Sequence, residues 1–236
     1  MKITADDLPP NVVGIVRFGS HARGDASENS DLDICVFVNH LTPELLQAAR
    51  ASNLPYIIKQ KNLEITIYDV ETANFMASSG SLFLWHLKSE GRIEYQANHF
   101  VNDLLRQLRP PTNLGEELGI HRDLFNLVNS RRSDGDYCDA FDLSALYTVI
   151  RNVSILLCAA AGELRFGKLD AFEFVTGMYG NLGLSFRDFK ILHDANLSYT
   201  RGVHTDLPSA VAVTSLVAAV GEFVKHAEPI IAKVAR

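Results

Sequence analysis

With 236 residues, 47% of them hydrophobic and 21% charged, the chain has an ordinary globular composition and room for one large domain or two small ones. It holds no internal repeat and no low-complexity tract. A net charge of −6 argues against an extended nucleic-acid footprint, which normally shows as clustered Lys and Arg.

In chain order, the apolar run from Val12 to Phe18 predicts a strand, and the Gly19-Ser20 turn leads into a short helix from Ser20. A second strand over residues 31–38 is apolar almost throughout after its two aspartates, as expected of a strand buried on both faces. Thr42 followed by Pro43 reads as a cap and first helical residue of a helix to about Ala51. Residues 55–59 and 63–68 read as two more strands joined by a polar turn at 60–62. Helix resumes at Thr72 and continues through residues 81–89, and residues 91–95 suggest one more short strand.

This alternation predicts a mixed α/β domain. A boundary is expected between Leu104 and Gly119, where Arg109-Pro110-Pro111-Thr112-Asn113 breaks the pattern. Beyond it the sequence is helical. Residues 141–161 are apolar nearly all round, which predicts a central bundle helix. Val213, Leu216, Val217, Val220 and Val224 give the last helix an inner face, and residues 130–136 read as an exposed break between helices. The expected fold is α/β (α+β): a small mixed-sheet domain over residues 1–108, then an all-α bundle over 109–236. Cys35, Cys138 and Cys158, widely spaced in apolar sequence, are expected to be buried thiols of a reducing compartment. The start of the chain carries no apolar leader core, and the apolar run from Ala210 to Val220 is too short to span a bilayer. A cytoplasmic location without membrane attachment is the expectation.

Chemistry concentrates in residues 19–33, Gly-Ser-His-Ala-Arg-Gly-Asp-Ala-Ser-Glu-Asn-Ser-Asp-Leu-Asp. Asp31 and Asp33 are two residues apart at the start of a strand and so point to one face. Adjacent carboxylates repel unless a cation lies between them. Mg²⁺ prefers such hard oxygen ligands, usually with a substrate's phosphates completing its shell. A Gly-Ser turn opening a helix offers backbone N–H groups and a hydroxyl to those phosphates. The alternative is a surface hairpin whose aspartates are solvated.

Gly19, Ser20, Asp31 and Asp33, with Arg23, Gly24 and Ser30 between them, resemble the Gly-Ser…Asp-x-Asp signature of the DNA polymerase β-like nucleotidyltransferase superfamily, in the form of its small bacterial members. The resemblance covers about the first 95 residues well. It implies a catalytic sheet domain followed by helices, as in aminoglycoside nucleotidyltransferases and toxin–antitoxin nucleotidyltransferases. It also implies Mg²⁺ or Mn²⁺ at Asp31, Asp33 and a third carboxylate. On residues 63–68, Glu64 shares a face with Thr66 and Tyr68, which makes it the best third ligand; a solvated edge-strand glutamate is the alternative, and Asp69 falls on the wrong face.

By the same resemblance, Gly19, Ser20, Arg23, Ser30 and, from the second domain, Lys168 belong to the binding of an NTP, with ATP the first choice. From the residues themselves, Arg23 is equally suited to pairing with Asp25 or Glu28, Ser30 to stiffening the turn, and Lys168 to a solvated loop. His21 reads as a packing or surface residue. Arg151, beside Asn152 in an apolar helix, needs a partner, for which an internal carboxylate is expected. Glu116, Glu117, Asp139, Asp142 and Glu163 are candidate general bases.

The function expected is transfer of an NMP to an acceptor hydroxyl, most plausibly on a small molecule such as an aminoglycoside. AMPylation of a protein or addition to tRNA ends within a toxin–antitoxin pair is the second reading, and a nucleotide-binding module without turnover the third. The apolar C-terminal helix fits either a homodimer interface or the core.

Overall fold

The computed structural model describes residues 8, 11–26, 30–50, 63–135 and 139–234. They divide into two compact units, Met1–Thr112 and Asn113–Arg236. The first contains a four-stranded mixed sheet of β1 (Val12–Phe18), β2 (Leu32–Val38), β3 (Leu63–Asp69) and β4 (Arg92–Gln96), in the order β3-β2-β1-β4. β1 lies antiparallel to β2 and to β4, whereas β2 and β3 run parallel. The strand and turn expected at residues 55–62 lie outside the described residues, as do Cys138 and Glu28.

Alternation along the strands sorts the side chains into two apolar layers. Ile15, Leu32, Ile34, Val36, Val38 and Leu63 pack on one face, with Leu45 of α2 (Pro43–Arg50) against them. Thr42 caps that helix through its hydroxyl, which accepts from the Leu45 amide at 3.3 Å. Val16, Phe18, Cys35 and Phe37 occupy the opposite face, under α3 (Val70–Ser78), α4 (Leu82–Glu90) and α5 (Phe100–Arg106). β2 is thus buried on both sides, as its apolar run predicts. The helical stretch after Thr72 is not continuous: it breaks between α3 and α4 at Gly80, whose φ is +73° and whose missing Cβ would meet the Pro110 carbonyl oxygen at 2.2 Å.

The second unit is a helical bundle of α6 (Leu114–Ser133), α7 (Asp139–Ala160), α8 (Asp170–Tyr179), α9 (Phe186–Arg201) and α10 (Ala210–Ala232). α7 is central and touches the other four; Leu143, Leu146, Ile150, Val153 and Leu157 along it are fully buried. Val213, Leu216, Val217, Val220 and Val224 form the inner face of α10. α7 and α10 are each long and apolar enough to cross a bilayer, so the shorter Ala210–Val220 run understates them. Both pack against other helices of the bundle, α7 with 67% of its most apolar window buried and α10 with 39%. Burial pushes the Cys158 thiol up to about 12 and Cys35 well above the ordinary thiol range, so neither is poised to react.

One expectation in this unit fails. Residues 130–133 are not a loop but the last turn of α6, and the break begins at Asp134. Arg131 and Arg132 suit the negative end of the helix. Each also has a partner on α7: Arg131 lies 5.4 Å from the Phe141 ring centroid, and Arg132 Nη1 reaches Asp139 at 2.7 Å and Asp142 at 3.6 Å. Asp142 is wholly buried.

Two substitutions test this packing. Arg132→Met leaves the buried Asp142 without that cation, and thermal or urea unfolding is expected to show a loss of about 3–5 kcal/mol. Gly19, with φ +68°, brings its backbone so close to Asp33 that an added Cβ would lie 2.1 Å from Asp33 Oδ2. Gly19→Ala is expected to cost about 1–3 kcal/mol from its backbone conformation alone, measured by urea denaturation, and to displace the Asp33 carboxylate in a crystal structure.

Candidate active site

The sheet register builds the site. Phe18 of β1 faces Asp33 of β2, and Asp33 faces Glu64 of β3, so one row crosses three strands at one end of the sheet. Asp33 alternates with Cys35 and Phe37, and Glu64 with Thr66 and Tyr68, which puts both carboxylates on the α3–α5 face. β2 begins at Leu32, one position later than the strand start expected from sequence, so Asp31 immediately precedes the strand. Asp31 and Asp33 are half-buried and Glu64 is exposed. Like charges directly opposite each other on neighbouring strands destabilise a sheet, so this row is costly as a purely structural device. Among the described residues, no three His, Cys, Asp or Glu side chains are drawn together as a ready-made metal site. The donor chemistry nevertheless suits a hard cation, since all three groups are carboxylates and two are neighbours in register. Asp69 is otherwise engaged: its Oδ1 accepts from the Thr72 amide at 2.7 Å and caps α3.

Beside this row the chain turns sharply into α1 (Gly19–Arg23). Its cap residue, Phe18, offers no side-chain acceptor, so the first amides of the turn have no intrahelical partner. At the other end, the Ser20 carbonyl accepts from the Gly24 and Asp25 amides at 2.9 and 3.2 Å. His21 Nε2 lies 3.3 Å from the Ser30 carbonyl oxygen and ties the turn to the residue before Asp31, which accords with a packing role.

Arg23 donates from Nη1 to Glu90 Oε2 at 2.5 Å and from Nε to Asp25 Oδ2 at 3.2 Å. Partial burial opposes its charge, and these two carboxylates more than offset that and raise its pKa. The residue is therefore paired, with Asp25 as one of the partners anticipated and Glu90 as one that was not. Glu90 Oε2 also lies 3.0 Å from His86 Nε2. No motif in the sequence marks Glu90 or His86; the one available signal is an i,i+4 spacing that puts the two polar groups on one side of α4.

In the second unit, Lys168 sits exposed in the loop between α7 and α8. Among the described residues, Arg151 is seen with no carboxylate of the kind expected for it: it donates to Asn152 Oδ1 at 3.1 Å and to the Phe166 carbonyl at 3.5 Å, both neutral oxygens. Of the candidate bases, Asp139 and Asp142 hold Arg132, while Glu116, Glu117 and Glu163 are exposed.

No curated protein matches the sequence. The fold resembles that of spectinomycin adenyltransferase AAD(9) from Enterococcus faecialis, solved with ATP and spectinomycin, at a TM-score of 0.50 and 17% identity over 94% of this chain and 95% of that one. It also matches a nucleotidyltransferase-like protein from Exiguobacterium sibiricum at a TM-score of 0.41 and 13% identity, over 97% of this chain and 74% of that one. The family description "Nucleotidyltransferase domain" fits residues 2–125, a span that holds the whole carboxylate row and the Gly19–Arg23 turn. On that match over more than half its length, the chain belongs to the DNA polymerase β-like nucleotidyltransferase domain family.

Proposed function

We propose that this protein transfers a nucleoside monophosphate from an NTP, with ATP the first choice, to a hydroxyl of a small-molecule acceptor. The observation that carries the reading is the register pair Asp33–Glu64, set against the Gly19 backbone at the end of the sheet. In the reaction the acceptor oxygen forms a bond to the α-phosphorus while the bond to the pyrophosphate oxygen breaks. The hydroxyl proton passes to a carboxylate base. Negative charge grows on the entering and leaving oxygens, so the protein's work is to orient reactants and to offset that charge.

Asp31, Asp33 and Glu64 supply the oxygen ligands for Mg²⁺ or Mn²⁺, which when bound neutralises charge on the phosphate oxygens. Gly19 permits a phosphate to approach the backbone closely, and the Ser20 hydroxyl and the uncapped amides of α1 donate to it. Arg23 adds positive charge at the far end of the same turn, and Ser30, tied to His21, steadies the loop before Asp31. The acidic net charge and the small helical unit favour a compact acceptor over a long RNA. A cytoplasmic location follows from the need for NTP.

The test is transfer of α-phosphate label from each NTP, with Mg²⁺ or Mn²⁺, to a panel of aminoglycosides, spectinomycin and cell lysate. Label on a small molecule supports the proposal. Label on protein or tRNA replaces it with macromolecule modification, and metal-dependent nucleotide binding without transfer to any of these replaces it with a binding module. Asp31→Ala and Asp33→Ala are each expected to lower transfer by about a hundredfold or more while far-UV circular dichroism shows the fold intact. Glu64→Ala is expected to do the same; wild-type rates in that variant would remove it from the ligand set. Chelation with EDTA is expected to abolish transfer and added Mg²⁺ to restore it.

A further inference from the structure

We infer that Glu90 is a positioning residue for the nucleotide, holding the Gly19–Arg23 turn in place through Arg23 and His86. The inference rests on the nucleotide reading proposed above and names a residue that the motif does not contain.

α1 has five residues. A helix so short does not persist by itself, because its nucleation cost is recovered only over many more residues. Its first residue has positive φ and its preceding residue gives no side-chain cap, so local interactions do not stabilise it either. Tertiary contacts must therefore hold it: α1 packs on β1 and β2, His21 reaches the Ser30 carbonyl oxygen, and α4 grips the segment at both of its ends. At the start of α1, Phe18 meets the His86 ring edge-on at a centroid distance of 5.3 Å and the Phe83 ring at 5.4 Å. At its end, Arg23 donates to Glu90. The same Glu90 oxygen takes the His86 contact, so a single carboxylate links the anchors at both ends of the turn.

The three side chains are poorly exposed, at 24% for Arg23, 16% for Glu90 and 12% for His86. That separates this set from ordinary surface ion pairs, which contribute little. Burial alone would raise the Glu90 carboxyl, but hydrogen bonds from His86 and Arg23 and their charges bring it below its ordinary value, so it is ionised at neutral pH. Asp25, the other partner of Arg23, is 62% exposed and belongs to the same local loop, so it cannot anchor the turn to the body of the unit.

Loss of Glu90 frees the end of α1 without touching the carboxylates that carry the chemistry. The expected signature of Glu90→Gln and Glu90→Ala is a rise of about ten- to a hundredfold in KM for the NTP, with kcat within about threefold of wild type. Hydrogen exchange supplies a readout that does not depend on turnover. The Gly24 and Asp25 amides, bonded to the Ser20 carbonyl, are expected to exchange about tenfold faster or more in both variants, while amides of β2 keep their protection. In the double variant Arg23→Gln with Glu90→Gln, KM is expected to rise by less than the product of the two single effects, because Glu90 acts in part through Arg23.

Unchanged exchange at Gly24 and Asp25 in both Glu90 variants overturns the inference, as does faster exchange with an unchanged KM, or independent, multiplying effects of the two substitutions. A wild-type protein whose melting temperature does not respond to NTP with Mg²⁺ or Mn²⁺ would instead overturn the nucleotide reading itself. That result is distinct from any change seen in α1.

Discussion

Everything at the site depends on the parallel pairing of β2 with β3. The pairing runs unbroken from Leu32 opposite Leu63 to Val38 opposite Asp69, and it brings together two segments that are far apart in the sequence. The register is set by apolar alternation: Leu32, Ile34 and Val36 lie opposite Leu63, Ile65 and Ile67 on one face. A slip of one residue would send those side chains to the other face and carry Glu64 away from Asp33. Hydrophobic burial on one face of the sheet thus fixes Asp33 and Glu64 side by side on the other.

The second constraint is the approach of Gly19 to Asp33. A side chain at that position would occupy the space of the Asp33 carboxylate, so the turn and the acidic strand can be neighbours only with glycine there. Close approach by itself does not fix direction, and a five-residue helix has little stiffness of its own. Rigidity is supplied from α4, whose aromatic and charged groups grip the segment at Phe18 and at Arg23. On the proposed reading, residues within the motif meet the reactants, while residues outside it set where the motif points. Supporting groups of this kind are usual around sites that must hold geometry tightly.

What was legible in the sequence was local or periodic. The strand β2, the Thr42 cap, the inner face of α10 and the face that Glu64 shares with Thr66 and Tyr68 all follow from alternation or capping chemistry, which act over a few residues. Three features were not legible, each for the same reason. Arg132 looked like part of a loop because its polar neighbours suggest a break, yet its ion pairs to Asp139 and Asp142 extend α6 by a turn. Arg151 looked as though it needed a carboxylate, and the fold instead offers a side-chain amide and a main-chain carbonyl. Glu90 carries no local signature because its partner Arg23 is 67 residues away. Polar pairing set by tertiary packing has no period, so pattern reading cannot find it.

The distribution of charge over the two sheet faces explains how the unit tolerates a costly site. The face bearing Ile15, Ile34, Val36 and Val38 is apolar and buried and supplies stability that does not depend on the acidic row. On the other face the buried layer extends from Phe37 and Cys35 to Phe18 and stops where the carboxylates begin. At that limit Glu64 is exposed and Asp33 half-buried, so solvent screens their repulsion without the row leaving the rigid sheet. Deeper burial would raise the carboxyl pKa values and disfavour the charged forms that a cation needs, whereas placement on a loop would loosen the ligands. The end of a strand at the edge of the apolar layer satisfies both demands, and β2 and β3 both begin there.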